Sequence, residues 1–427
     1  MTDIKNNMTA SKMYERSISL PRGTLDLTYQ TNFSGDSKNY ELEDLLGFAQ
    51  RINPKRAFLF VSKVLGRHIP VAPGTMRHAF TDLANLVPDD LPEPILVIGM
   101  AETAVGLSAS VHQALQTRYP NALLLNSTRH SQHNKNNTET LLTTFSEDHS
   151  HASQHLIYQS ADTVTQAQLL ASKTLIMVDD EASTGNTCVN VVTALRNAGL
   201  TELEQVHLTT LVDWSLNQNQ AQADVDDNIS TRLPNIDFHR HHLLSGAWQW
   251  TDATNPESIT MPSVDTTEAG SYALGDTGNW GRFPTLDSTD GFDNYLLKFQ
   301  TAFKVFNKQA QSEKASFEKE QLPKRILVLG SNEFVWLPFL LAEWLETQTQ
   351  NSTVKFSALT RSPIALGGAI TSMLSFSDNY GLGMTNFAYN VEPSDWDLIV
   401  LCVETSADSV DEMWKDLDNV LVVSPTL

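Results

Sequence analysis

The chain has 427 residues, 41% hydrophobic and 19% charged, with a formal net charge of −21. At roughly 150 residues per domain that is about three domains, or two generous ones, with ample material for a core. The acidic balance excludes a general nucleic-acid or anionic-membrane binder, which needs a broad positive field, but not a small anion held in a local pocket.

Two cysteines, Cys188 and Cys402, rule out a disulfide scaffold and fit a reducing compartment. The first thirty residues hold no signal-peptide core, and no apolar run reaches the roughly 18 residues of a membrane span. The expectation is a cytoplasmic protein with no membrane and no nucleic acid among its partners.

Charge is unevenly distributed. Residues 1–138 carry 14 basic and 12 acidic side chains, and residues 139–427 carry 15 and 38. Two windows contain no acid: 45–81, with Arg51, Lys55, Arg56, Lys63, Arg67 and Arg77, and 103–138, with Arg118, Arg129 and Lys135. These are either stretches that are simply buried or surface-polar, or an anion-binding region in the N-terminal half.

In chain order, residues 1–40 are polar and weakly patterned, an extended arm with some strand. Apolar runs at 57–61, 95–98, 122–125, 175–178 and 206–212 predict strands. Ala104, Leu107, Val111 and Leu115 give a helical period over 103–117. Cys188, Val191, Val192 and Leu195 give another, closed by Gly199. The alternation means βαβ units and a mainly parallel sheet.

Residues 126–150, rich in Asn, Ser, Thr, His and Gln, form a long loop of the kind that carries function. Residues 214–290 are irregular, with Trp248, Trp250 and Trp280, and 291–322 is a helical connector through Leu296, Phe299 and Phe303. A second α/β pattern begins at Arg325, with strands at 326–329, 354–359, 398–402 and 420–423 and a helix over 333–346. The expected division is an arm at 1–40, a first domain at 41–260, a connector at 261–310 and a second α/β domain at 311–427.

The most informative string is Val178-Asp179-Asp180-Glu181-Ala182-Ser183-Thr184-Gly185-Asn186-Thr187, at a strand end that opens a helix. Ser183, Thr184, Gly185, Asn186 and Thr187 offer amides and hydroxyls at a helix N-terminus, a cradle for phosphate. Gly185 lets the backbone approach a ligand closely. Two successive carboxylates can reach a vicinal diol or a hydrated Mg²⁺ across the loop. Anion to the amides and hydroxyls to the acids is the layout for a sugar phosphate.

This string closely resembles the phosphoribosyl-pyrophosphate (PRPP) motif of type I phosphoribosyltransferases. The resemblance implies an α/β fold with a parallel sheet flanked by helices, Mg²⁺ as cofactor, and small-molecule substrates: PRPP and a base-like acceptor. It implies that Asp179 and Asp180 hold the ribose hydroxyls, directly or through Mg²⁺, as catalytic and metal residues, and that 183–187 hold the 5-phosphate. Purine-type members carry Asp at the Ser183 position to handle the base's proton; Ser183 cannot act as a carboxylate base, which tells against purine salvage of that kind.

The strand–loop–helix at 98–106 is similar to the pyrophosphate loop, with Met100, Ala101, Glu102 and Thr103 meeting the leaving group and Lys63 and Arg67 adding charge. Arg129 and Lys135 suit the loop that closes over PRPP and excludes water. His149 or His151 is an expected loop contact to substrate, and His239 with His241 and His242 lacks zinc spacing.

Thr360-Arg361-Ser362-Pro363 spells the signature of the TRSP domain, which typically follows a phosphoribosyltransferase domain in proteins of bacterial tellurite-resistance (Ter-type) stress operons. That likeness implies a second, smaller Rossmann-like α/β domain, a role in making or modifying a nucleoside-like compound, and stress-operon proteins or a second copy of the chain as partners. Loops at the carboxyl ends of the second sheet give a further candidate site: Ser331, Glu333, Thr360, Arg361, Ser362, Asp378 and Asn386. A PRPP sensor without turnover, and an enzyme running the reaction backwards, are the competing readings.

Overall fold

Residues 95–98 and 174–178 are apolar at nearly every position, a pattern that requires cover on both faces of a sheet. A computed structural model of the chain, which describes residues 12–31, 40–52, 56–131, 141–146, 154–216, 229–264, 272–310 and 322–426, provides that cover. The first part runs β1 (Met13–Leu20), β2 (Gly23–Thr31), α1 (Leu42–Leu45), β3 (Leu46–Gln50), β4 (Phe58–Ser62), α2 (Pro73–Asn85), β5 (Ile95–Gly99), α3 (Val105–Leu115) and β6 (Leu123–Asn126). It continues with β7 (Leu141–Ser146), β8 (Gln154–Tyr158), α4 (Thr163–Leu170), β9 (Thr174–Ala182), α5 (Asn186–Asn197), β10 (Gln205–Asp213), α6 (Ile229–Arg232) and β11 (Asp237–Asp252). Helix α7 (Phe292–Ala310) precedes the second part: β12 (Arg325–Ser331), α8 (Trp336–Gln348), β13 (Thr353–Leu359), β14 (Met373–Ser377), β15 (Thr385–Tyr389), β16 (Leu398–Cys402), α9 (Glu412–Lys415) and β17 (Val420–Val423).

The fold is α/β. The central sheet has the order β1-β2-β11-β10-β9-β5-β6; β11 to β6 are parallel, and β2 and β1 add antiparallel at one edge. In chain order the five parallel strands therefore stand 2-1-3-4-5, with the reversal between β5 and β9. The second sheet, β13-β12-β16-β17, is wholly parallel and stands 2-1-3-4, with its reversal between β12 and β16. At such a reversal adjacent strands send their following loops apart, which opens a crevice at the carboxyl edge.

Four expectations are corrected. Residues 237–252, read as irregular, form the longest strand described, whose burial is confined to 243–247; His, Arg and Asp at its exposed start hide its alternation. Within the polar stretch 126–150, residues 141–146 pair with β8 as a ribbon. The run at 57–61 is a strand, but it pairs with β3 in a separate ribbon outside the central sheet. The helix expected from 333 begins at Trp336, after a turn in which Ser331 and Phe334 pair by their backbones.

One apolar cluster runs through both parts, from Leu96 and Ile176 through Phe80 on α2 and Phe339 on α8 to Ile326 and Val328. Polar contacts reinforce it. Arg77 of α2 forks onto Glu343 of α8 at 2.7 and 2.5 Å, and Val71 exchanges backbone hydrogen bonds with Phe356 at the edge of β13. Among the described residues no helix is long and apolar enough to cross a membrane.

Candidate functional site

The reversal of the central sheet places the two loops of interest side by side. β5 ends in the 100–103 turn and β9 carries Asp179 and Asp180 near its end; Thr103 Oγ1 donates to Asp180 Oδ1 at 3.1 Å and joins them. Asp179 accepts from the Asp180 amide at 2.9 Å. Both aspartates are half-buried. Desolvation and the neighbouring Glu181 charge raise the Asp180 carboxyl above its usual range.

Glu181, the third acid of the run, is bound elsewhere. Arg56 forks onto it at 2.6 and 3.1 Å and Trp214 Nε1 donates to it at 3.2 Å. Arg56 itself lies over Phe58 and Phe60. The sequence reading missed this clamp, because Arg56 and Glu181 are 125 positions apart.

Beyond the acids the chain turns into α5. Gly185 is the residue before the helix and has φ +81°, a conformation that side-chained residues avoid. A Cβ there would stand 2.6 Å from Ile229 Cδ1. Ser183 is exposed, while Thr184, Asn186 and Thr187 are half-buried, so the loop opens to solvent at the start of α5, where the first amides lack helical partners. Behind the loop, Arg240 reaches the Thr184 carbonyl at 3.4 Å and Asp213 at 3.0 and 3.1 Å, and Arg232 donates to the Asn186 side chain. Arg240 and Arg232 were also missed; both belong to the region read as irregular.

In the 100–103 turn Met100 N donates to Val178 O and Ala101 N to Ser127 Oγ, while Ala104 N returns to Met100 O. Among the described residues the amides of Glu102 and Thr103 take no backbone hydrogen bond in this turn. The Glu102 side chain is buried between two guanidiniums: Arg67 from the first part, and Arg361 from the second through Nε at 3.0 Å and Nη2. Burial pushes the Glu102 carboxyl up, but Arg361, Arg67 and Arg129 outweigh it and hold it at about 2. Arg67 also donates to the Asn332 carbonyl at 2.6 Å. Glu333 accepts from Thr128 Oγ1 at 2.5 Å and from the Arg129 amide at 2.8 Å.

Arg361 and Glu333, expected at a site of the second domain, therefore face the first. Of the other second-domain candidates, Ser331 donates to Asn379, Thr360 pairs with Phe387 through the backbone and holds the Ser362 amide, and Asp378 receives the amides of Tyr380, Leu382 and Met384. Asn386 is fully buried. At the reversal between β12 and β16, Glu404 takes Arg282 and Tyr380 at 2.7 Å each, and Asn379 bridges Ser331 to Thr405. Residues 272–282 cross above: Gly275 N donates to Glu404 O, and the Gly281 carbonyl accepts from Asn126 N.

The acid-free windows are acid-free in sequence only. Arg56, Arg67, Arg77 and Arg118 each meet a carboxylate from another segment, and Lys63 reaches the Glu43 carbonyl at 2.7 Å. Lys55, Lys135, His149 and His151 lie outside the described residues. His207 and His241 bond each other at 2.8 Å and stack; burial, with the neighbouring imidazoles, lowers both to about 4. Among the described residues no group of three His, Cys, Asp or Glu side chains is arranged to hold a metal ion. A Mg²⁺ bound by one or two carboxylates and completed by substrate phosphates needs no such group, and the oxygen-only pair Asp179 and Asp180 fits it.

Residues 45–244 match the family model described as phosphoribosyl transferase (PRTase_2), and residues 299–420 match the TRSP domain C-terminal to it. The two matches follow one another along the chain in that order. A search of curated proteins finds no match. Among solved structures, adenine phosphoribosyl transferase from Trypanosoma brucei aligns over 47% of this chain and 76% of its own at 12% identity, with a TM-score of 0.30. The adenine phosphoribosyltransferase of Leishmania tarentolae covers 48% and 85% at 13% identity and a TM-score of 0.30. The Giardia lamblia enzyme covers 47% and 96% at 12% identity and 0.29.

Proposed function

We propose that a chain with this phosphoribosyl transferase domain transfers ribose 5-phosphate from PRPP to a base-like acceptor, with Mg²⁺. One observation carries the reading: Thr103 on Asp180 at 3.1 Å brings the turn after β5 against the acids of β9, at the reversal of the sheet and beside the open start of α5. Residues 183–187 would take the 5-phosphate, Asp179 and Asp180 the ribose hydroxyls, and the 102 and 103 amides the pyrophosphate. Mg²⁺ held by Asp179 and Asp180 would neutralise charge on the departing pyrophosphate.

As the bond from C1 to the pyrophosphate oxygen breaks, the electron pair leaves with pyrophosphate and the acceptor nitrogen bonds to C1, losing its proton. The chain's contribution is positioning and charge stabilisation of an oxocarbenium-like centre. The TRSP likeness points to an acceptor from nucleoside-like metabolism of tellurite-resistance operons.

The test is incubation of the full chain with PRPP, Mg²⁺ and a cell metabolite extract, followed by mass spectrometry for new ribosyl phosphates and an assay for released pyrophosphate. Release that Asp180→Asn removes supports the reading. PRPP binding without turnover on any acceptor turns it into the regulatory one, and no PRPP binding by calorimetry overturns both.

A further inference from the structure

A carboxylate in a turn that receives an anion is a liability. Glu102 lies between Ala101 and Thr103, beside the amides left for the leaving group, and an uncompensated charge there would repel pyrophosphate. It is neutralised from two sides. Arg67 comes from the segment after β4 and is itself held by the Asn332 carbonyl; Arg361 comes from the loop after β13 and grips Glu102 Oε1 with Nε and Nη2. The next residue, Thr103, is bonded to Asp180. An unbroken line of contacts therefore runs from the second domain to the acids at the end of β9.

We propose that Arg361 is a positioning residue for the leaving-group half of the site: by neutralising and orienting Glu102 it holds the 100–103 turn in the shape that accepts pyrophosphate. The second domain is then a structural part of the transfer site and not an appended module. This rests on the phosphoribosyl-transfer reading above. A fork is needed because two donors to one oxygen fix the carboxylate in direction as well as charge; a lysine supplies the charge alone.

The experiment compares wild type, Arg361→Lys and Arg361→Gln as full chains with Mg²⁺, titrated calorimetrically with pyrophosphate and, separately, with ribose 5-phosphate. Arg361→Gln is expected to lose about tenfold in pyrophosphate affinity, in the range of ordinary coupling between groups, and less than about twofold for ribose 5-phosphate. Arg361→Lys should fall between wild type and Arg361→Gln. Amide exchange over residues 99–105 should quicken in both variants.

Equal losses for the two ligands would mark Arg361 as a general structural residue and overturn the proposal, as would unchanged pyrophosphate affinity in a folded Arg361→Gln. If that variant does not fold, the same split in Arg361→Lys decides. Wild-type protein that binds neither ligand would sink the transferase reading itself, whereas wild-type binding with unaffected variants sinks only the role of Arg361.

Discussion

The parallel strands of the two sheets wind alike, 2-1-3-4-5 in the first and 2-1-3-4 in the second, and each has its reversal between the first and third strands, yet the two crevices differ completely. At the first, Asp179 and Asp180 are half-buried, Ser183 is exposed, and the loop opens beside the start of α5. At the second, Ser331, Asn332, Glu333, Glu404 and Thr405 are all at most 1% exposed, closed in by residues 272–282 and by the first domain. Topology offers a crevice twice; what lies over it decides whether the polar groups stay open to solvent or are buried, and at the second the Asn332 side chain and Glu404 Oε2 are buried with no hydrogen-bond partner among the described residues. The carboxylates show the contrast best. Asp180 is raised by burial beside Glu181, while Glu404 meets both a guanidinium and a tyrosine hydroxyl.

That contrast can be broken by substitution. The largest expected effect is on the first crevice: Asp180→Asn should lower the rate of pyrophosphate release by about 10²- to 10³-fold, the loss typical of removing one preorganised electrostatic group. Its thermal midpoint should not fall, because the substitution relieves a charge that burial and Glu181 disfavour. At the second crevice the pattern should invert. Glu404→Gln strips a buried guanidinium of its partner and should cost about 3 kcal/mol in urea unfolding, with PRPP affinity unchanged. An activity loss at Glu404 equal to that at Asp180 would erase the distinction.

Gly185→Ala should cost about 1 kcal/mol through its left-handed backbone alone, and more through the clash with Ile229. It should also weaken binding of ribose 5-phosphate, read by calorimetry. The smallest effects concern acid. Glu102 sits below its ordinary 4.5, so the stability it supplies is complete above pH 4.5 and disappears as pH falls toward about 2. His207 and His241 are kept neutral to about 4 against an ordinary 6.5, so they erode stability from pH 6.5 downward and are fully charged in both states below about 4. Urea midpoints measured against pH should show the upper limb flattened by His241→Gln and the lower one by Glu102→Gln.

Much of this was readable in one dimension. Residues 178–187 hold strand, acids, glycine and helix start within ten positions, so neighbours in sequence are neighbours in space, and the motif survives translation into structure. The apolar runs of both sheets were equally plain, because a strand covered on two faces carries its burial in every residue. Strand β11 was not legible: only 243–247 are buried, and its polar start reads as a turn.

The chain's own letters therefore determined the α/β class, the presence of two α/β units and the strand–loop–helix at 178–187, since each follows from local pattern. Tertiary structure alone decided which charges meet. Arg361 and Glu102 stand 259 positions apart, Arg56 and Glu181 125, and the acid-free windows found their carboxylates in other segments. A charge pair of that separation leaves no periodicity behind, because its two members are brought together by the packing of a shared core and not by the backbone between them.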